Sequence, residues 1–316
     1  MPFAIFLIII GVALLYFGAE WLIRGATGIG RQLGMEPLLI GLTIVAFGTS
    51  APELVVSIAA ALRGSGDIAL GNVIGSNICN IGLILAVAAL IRPVSVQRQL
   101  VKFDMPLVVV LSVILLIFMW NGVLARWQAG LFAVGLVSYI LLSIRLAKKS
   151  GAAVEGELEE ALANAPAKPW LAIVLVVVGI VVLVGGASLF VDGAVRLATM
   201  LNVSEAVIGL TVVAIGTSLP ELATSVVAAL KKESDIAVGN VVGSNIFNIL
   251  CILGISGLVT PLRATDVGPS DFGVMIAFAV VFWVFSAMGF RIGRAKGGVL
   301  LAAYAGYLIW ISSQAA

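Results

Sequence analysis

Residues 41–85 read GLTIVAFGTSAPELVVSIAAALRGSGDIALGNVIGSNICNIGLIL, and residues 209–253 read GLTVVAIGTSLPELATSVVAALKKESDIAVGNVVGSNIFNILCIL. The two align without a gap at an offset of 168 residues, which sets Glu53 over Glu221 and Asn80 over Asn248. Most aligned positions are identical. Upstream the match fades but persists, with Gly18-Ala19 over Gly186-Ala187 and Gly25-Ala26 over Gly193-Ala194. The most polar parts are the best preserved between the copies. Duplication alone accounts for a repeat but not for that bias.

The medium in which these segments fold is set by composition. Of 316 residues, 61% are hydrophobic and 11% charged, and the mean hydropathy is +1.20, whereas a soluble domain carries roughly 25% charge. Apolar runs long enough to cross a hydrocarbon core of about 30 Å as helices recur along the chain. The spacing predicts ten spans, near 3–24, 37–62, 68–90, 104–120, 128–147, 170–195, 205–230, 236–258, 272–289 and 297–314. The first continues past Gly18 with no basic residue ahead of it, so it reads as a membrane helix and not as a cleavable signal. The stretch 148–169, with Glu155, Glu157, Glu159 and Glu160 among Gly, Ala and Pro, reads as a solvated linker between a first unit, 1–147, and a second, 170–316.

Five spans per unit is an odd number, so the second copy begins on the opposite side of the membrane from the first. The expected fold is an all-α integral membrane protein of ten transmembrane helices, arranged as two inverted five-helix repeats. Such repeats place equivalent segments at the bilayer midplane about a pseudo-two-fold axis, the architecture of alternating-access transporters. Lys and Arg gather on cytoplasmic loops. With the N-terminus outside, 14 basic residues fall inside and only Arg63, Arg126, Arg196 and Arg263 outside. Both termini are therefore expected to be external and the linker cytoplasmic.

Each copy carries two polar constellations. In the first, Gly48-Thr49-Ser50-Ala51-Pro52-Glu53 and Gly216-Thr217-Ser218-Leu219-Pro220-Glu221, a carboxylate sits mid-span, where an intramembrane acid is a functional candidate. The proline lacks an amide hydrogen and clashes with the carbonyl four residues back, so the helix breaks and nearby carbonyls lose partners. Carbonyls, hydroxyls and a carboxylate on one unwound turn form an oxygen cage of the kind hard cations prefer. A proline kink satisfied by Ser and Thr is the plainer reading. It leaves two symmetry-related glutamates unexplained.

The second constellation is Gly71-Asn72-Val73-Ile74-Gly75-Ser76-Asn77-Ile78-Cys79-Asn80, returning as Gly239 to Asn248. Ser76 and Asn80, like Ser244 and Asn248, are four apart and share a helix face. A small-residue packing face held by interhelical hydrogen bonds is the competing account. It fits Asn72, Asn77, Asn240 and Asn245 better than the Ser/Asn pairs.

Other polar residues have simpler expectations. Asp67 and Asp235 open spans and read as N-caps; Glu20 and Arg24 are four apart and read as a pair. Lys102, Asp104, Asp266 and Asp271 fall at span ends and need only solvent. Cys79 and Cys251 read as small packing residues. There is no histidine, which removes imidazole ligands and leaves Ser50 and Ser218 without a base, against an intramembrane hydrolase.

With these motifs the chain resembles the cation/calcium exchanger superfamily, and within it the compact prokaryotic sodium/calcium exchangers. The paired GTS-x-PE and GN-x-x-GSN-x-x-N segments are similar to that family's alpha repeats. The resemblance implies an antiporter that exchanges Ca2+ for Na+ at four midplane cation sites. Thr49, Ser50, Glu53, Ser76 and Asn80 would line them from one half and Thr217, Ser218, Glu221, Ser244 and Asn248 from the other, with backbone carbonyls near Ala46 and Ala214. Gating helices would be the spans around Gly18 and Gly186. Some relatives carry aspartate where this chain has Asn248, so potassium-independent exchange is expected.

A proton-driven cation exchanger and, less favoured, a cation channel are the alternatives. The expected partners are the transported ions and the lipid bilayer of the cell's inner membrane. Neither a cofactor nor a nucleic-acid partner is expected. The oligomeric state is open, and a single chain suffices for the mechanism.

Overall fold

A computed structural model describes residues 1–149, 168–201 and 214–314. Eleven helices follow in chain order: α1 Pro2–Leu33, α2 Pro37–Thr49, α3 Ala51–Leu62, α4 Gly66–Ile91, α5 Leu100–Phe118, α6 Arg126–Lys149, α7 Pro169–Met200, α8 Leu219–Leu230, α9 Ser234–Val259, α10 Pro269–Ala287 and α11 Arg294–Gln314. A short turn, Ala214–Gly216, precedes α8. Among the described residues eight helices are long and apolar enough to cross a membrane, and α2 with α3 forms a ninth span bent by 46°. The expected span 205–230 and the linker 148–169 lie partly outside the described residues.

The packing separates an inner layer from an outer one. α4 and α9 are buried along most of their length, whereas α1, α7 and α11 turn large apolar side chains outward, such as Ile9, Val181 and Ile309. A lipid-facing surface requires that inversion of the soluble pattern. α1 and α7 run together over their whole length. The contact is possible because Gly18 lies against the Leu183 backbone, where an added Cβ would come within 2.8 Å of the amide nitrogen, and one at Gly186 would come within 2.9 Å of the Leu15 nitrogen. Small residues at seven-residue intervals thus let two membrane helices meet backbone to backbone.

Two short antiparallel ribbons tie the halves together. β1 (Val94–Ser95) pairs with β4 (Arg291–Ile292), and β2 (Val123–Leu124) pairs with β3 (Leu262–Arg263). Adding 168 to β1 gives β3, and adding it to β2 gives β4, so each ribbon maps onto the other with its strands exchanged.

Four polar residues behave differently from the sequence expectation. Glu20 pairs with Lys231, at 2.9 Å, and not with Arg24. The ion pair bridges α1 and the end of α8. Asp67 makes no N-cap; its Oδ1 accepts the backbone amides of Thr265, Asp266 and Val267 at 2.9, 2.9 and 3.2 Å. Asp235 likewise lies in the first turn of its helix, past the cap residue Glu233, and accepts from Gln97 Nε2 at 2.6 Å. Both aspartates therefore fasten the start of a span to the other half of the chain. Asp104 does not face solvent; α5 begins four residues earlier than expected, in a π turn over Leu100–Asp104, and draws its side chain fully inside.

Candidate ion-binding site

Each proline sits at the second position of its helix, which its missing amide tolerates, so α3 and α8 start afresh in mid-membrane. Ser50 and Ser218 take near-identical non-helical angles at the two breaks, φ −83° ψ 6° and φ −88° ψ 6°. Glu53 and Glu221 then fall in the first turns, where the positive end of the helix favours a carboxylate. Both side chains are buried, at 1% and 2% exposure, and they lie close enough to feel each other's charge.

The halves meet through their polar side chains. The Ser50 hydroxyl donates to Glu221 Oε1 at 3.0 Å, the Ser218 hydroxyl to Ser76 Oγ at 3.4 Å, and the Thr49 hydroxyl to Asn240 Oδ1 at 3.1 Å. Asn80 Nδ2 donates to Asn245 Oδ1, and Asn248 Nδ2 donates to Asn77 Oδ1, both at 2.9 Å. These last two contacts exchange under the 168-residue offset. Asn80 and Asn248 also each begin a π-helical segment, Asn80–Leu85 and Asn248–Leu253, the kind of insertion that helices carry at functional sites.

What remains unpaired is all oxygen. Among the described residues both carboxylate oxygens of Glu53, Glu221 Oε2, Asn80 Oδ1, Asn248 Oδ1 and Ser244 Oγ are buried without a hydrogen-bond partner. Buried polar atoms are ordinarily satisfied. Because each amide nitrogen is used across the halves, each Asn carbonyl oxygen is left over as an acceptor. No described lysine or arginine is paired with either glutamate. Six such oxygens, three of them from the two carboxylates, match the number and charge that a hard divalent cation takes up.

The remaining candidates are placed less tightly. Ser76 is buried, and Thr217 is half-buried beside the second break. The Ala46 carbonyl accepts the Ser50 amide at 3.0 Å and the Thr49 hydroxyl at 3.3 Å. Ala214 begins the short turn before Thr217.

Four asparagines outside the expected ligand set make the interhelical hydrogen bonds that their packing account implies. Asn72 donates to the Glu53 carbonyl and to Ser57 Oγ, at 3.3 and 3.0 Å, and Asn240 does the same to Glu221 and Ser225, at 3.4 and 3.0 Å. They clamp the first turn that carries each glutamate. Asn77 and Asn245 hold the opposite Asn248 and Asn80. The amide spacing was visible, but the partners lie on other helices.

The family profile described as sodium/calcium exchanger protein matches residues 3–145 and 171–312. The chain belongs to the sodium/calcium exchanger family. It is a transporter, not an enzyme. Relatives within the reach of this family include a putative antiporter, CaxA, of Alkalimonas amylolytica, 38% identical over 97% of this chain and 98% of its own. The sodium/calcium exchanger MaX1 of Methanosarcina acetivorans is 34% identical over 96% of this chain and 97% of its own. Among solved structures, the sodium-calcium exchanger NCX_Mj superposes with a TM-score of 0.81 at 30% identity, covering 98% of this chain and 99% of that one.

Proposed function

We propose that this exchanger moves Ca2+ in one direction and Na+ in the other through a single midplane site built from Glu53, Glu221 and the hydroxyl and amide oxygens beside them. The six buried, unpartnered oxygens carry the reading. Two carboxylates without a cationic partner balance one Ca2+, or two Na+ with a third left to neutral oxygens. Competition for the same oxygens couples the two ions: the site holds one cargo or the other, and alternating access turns that choice into exchange. The names of MaX1 and NCX_Mj favour sodium over a proton as the counter-ion.

The proposed frame is ten helices in two inverted repeats, 1–147 and 170–316, with the linker 148–169 in the cytoplasm and both termini outside the inner membrane. The ribbons support it. β1 and β4 join loops assigned to the inside, and β2 and β3 join loops assigned to the outside. The Glu20–Lys231 pair also joins two inner positions. Cysteines placed at Met1 and at Glu157, the latter outside the described residues, should be labelled in intact cells at Met1 alone; labelling of position 157 from outside would reverse the orientation.

Calcium binding to the purified protein tests the shared site. One Ca2+ should bind per chain and be displaced by Na+ with a sigmoidal dependence, since more than one Na+ replaces it. Displacement by protons with no effect of Na+ would support the proton-driven alternative instead.

Asn248 gives a second test. Asn248→Asp adds a third charge beside two carboxylates, which strengthens monovalent binding or raises a proton affinity through like-charge repulsion. Wild-type exchange in liposomes should ignore potassium, whereas the mutant should become sensitive to potassium, to pH, or to both. A mutant indistinguishable from wild type would place residue 248 outside the cluster.

A further inference from the structure

Asp104 lies outside the cation cluster, and the exchange reading does not use it. Its side chain is fully buried in the π turn Leu100–Asp104, just ahead of Pro106. The Tyr139 hydroxyl of α6 donates to Oδ1 at 3.0 Å, and Oδ2 has no partner.

Among the described residues no lysine or arginine is paired with Asp104. α10 contributes Trp283, whose indole N–H is taken by the Val101 carbonyl at 2.8 Å. α6 contributes Tyr139 and, one turn on, the buried Ser143, whose hydroxyl is itself unpartnered. On α5, Lys102 is exposed. The one ion pair among the described residues is Lys231–Glu20. An ionised Asp104 would stand alone within the apolar interior, a state that buried carboxyl groups avoid by taking up a proton.

The other half provides a contrast. Tyr307 aligns with Tyr139 at the 168-residue offset, and Asp271 stands one position from alignment with Asp104. Asp271 and Tyr307 line a surface cavity together with Asp67 and Asp266, and the Asp271 carboxylate accepts the Gly268 amide at 2.9 Å. The same two residue types meet water and an amide donor in one half. In the other they are sealed with a single phenol.

We propose that Asp104 is a proton-binding site, separate from the cation cluster, that keeps its proton throughout the transport cycle. A neutral carboxyl accepts from Tyr139 through Oδ1 and carries its proton on Oδ2, which has no partner to accept from. Full burial on a helix that holds no ligand of the cluster keeps the proton in place while the cations change. The proposal does not depend on which ions the exchanger carries.

Infrared spectroscopy of the protein in lipid at neutral pH tests it, through the carbonyl band of a protonated carboxyl group. In a Glu53→Gln/Glu221→Gln background, which removes both site glutamates from the spectrum, Asp104→Asn should remove part of this band. Aspartate labelled with heavy carbon at its side-chain carboxyl should shift the same intensity without any substitution at 104, so the test survives a variant that fails to fold. In protein with both glutamates intact, the intensity sensitive to Asp104→Asn should be equal in sodium and calcium buffers. A band untouched by both the substitution and the label would show Asp104 ionised. Intensity that changes between sodium and calcium would show that the proton leaves during the cycle. Either result overturns the proposal.

Discussion

Calcium exchange should be abolished in Glu53→Gln and in Glu221→Gln, while both variants should fold and insert. On the proposed site the substitution removes one of two carboxylates that would face a buried divalent ion, and breaking such a buried charge pairing costs about 3–5 kcal/mol. That corresponds to roughly two to four orders of magnitude in affinity. Folding survives because the contacts do. Neither oxygen of Glu53 has a hydrogen-bond partner to lose, and the Ser50 hydroxyl that meets Glu221 Oε1 can donate equally to an amide carbonyl. Both variants should elute as wild type on size exclusion in detergent and show no radioactive calcium uptake in liposomes. Normal uptake in either folded variant would remove the glutamates from the site.

Asn77→Ala and Asn245→Ala should each weaken calcium binding about 10- to 100-fold, the usual effect of losing a group that orients a metal ligand. Neither side chain needs to touch the ion. Asn77 accepts from Asn248 Nδ2 and Asn245 from Asn80 Nδ2, and these bonds fix which end of each amide is left as the free carbonyl. Without them the amides can rotate and present a donor to the cation. The loss should appear as a raised calcium concentration for half-maximal exchange, with less change in the maximal rate. Unchanged calcium affinity in both folded variants would mean that Asn80 and Asn248 are held by something else.

Much of the molecule was legible because the polar segments occur twice. The duplicated Gly-Thr-Ser-x-Pro-Glu run marked both helix breaks, and the structure bends α2 against α3 at Ser50 and starts α8 after Ser218. The Ser/Asn faces on α4 and α9 followed from four-residue spacing. Contacts between helices distant in sequence were not legible. Glu20 had a neighbour of opposite charge one turn away, yet pairs with Lys231 because α1 packs against α8. The π turns at Asn80, Asn248 and Leu100 add a residue to a helical turn without any signal in apolar periodicity. Asp104 was assigned to solvent because it fell at the expected start of a span, whereas α5 begins at Leu100.

The coupling of calcium to sodium is tested most directly in liposomes that contain only this protein. With equal calcium on both sides, an imposed sodium gradient should drive calcium uphill in the opposite direction. The movement should stop when choline replaces sodium, persist when potassium is omitted, and be absent in Glu53→Gln. Uphill calcium movement that follows a pH gradient in sodium-free medium, and ignores sodium when it is supplied, would contradict the account.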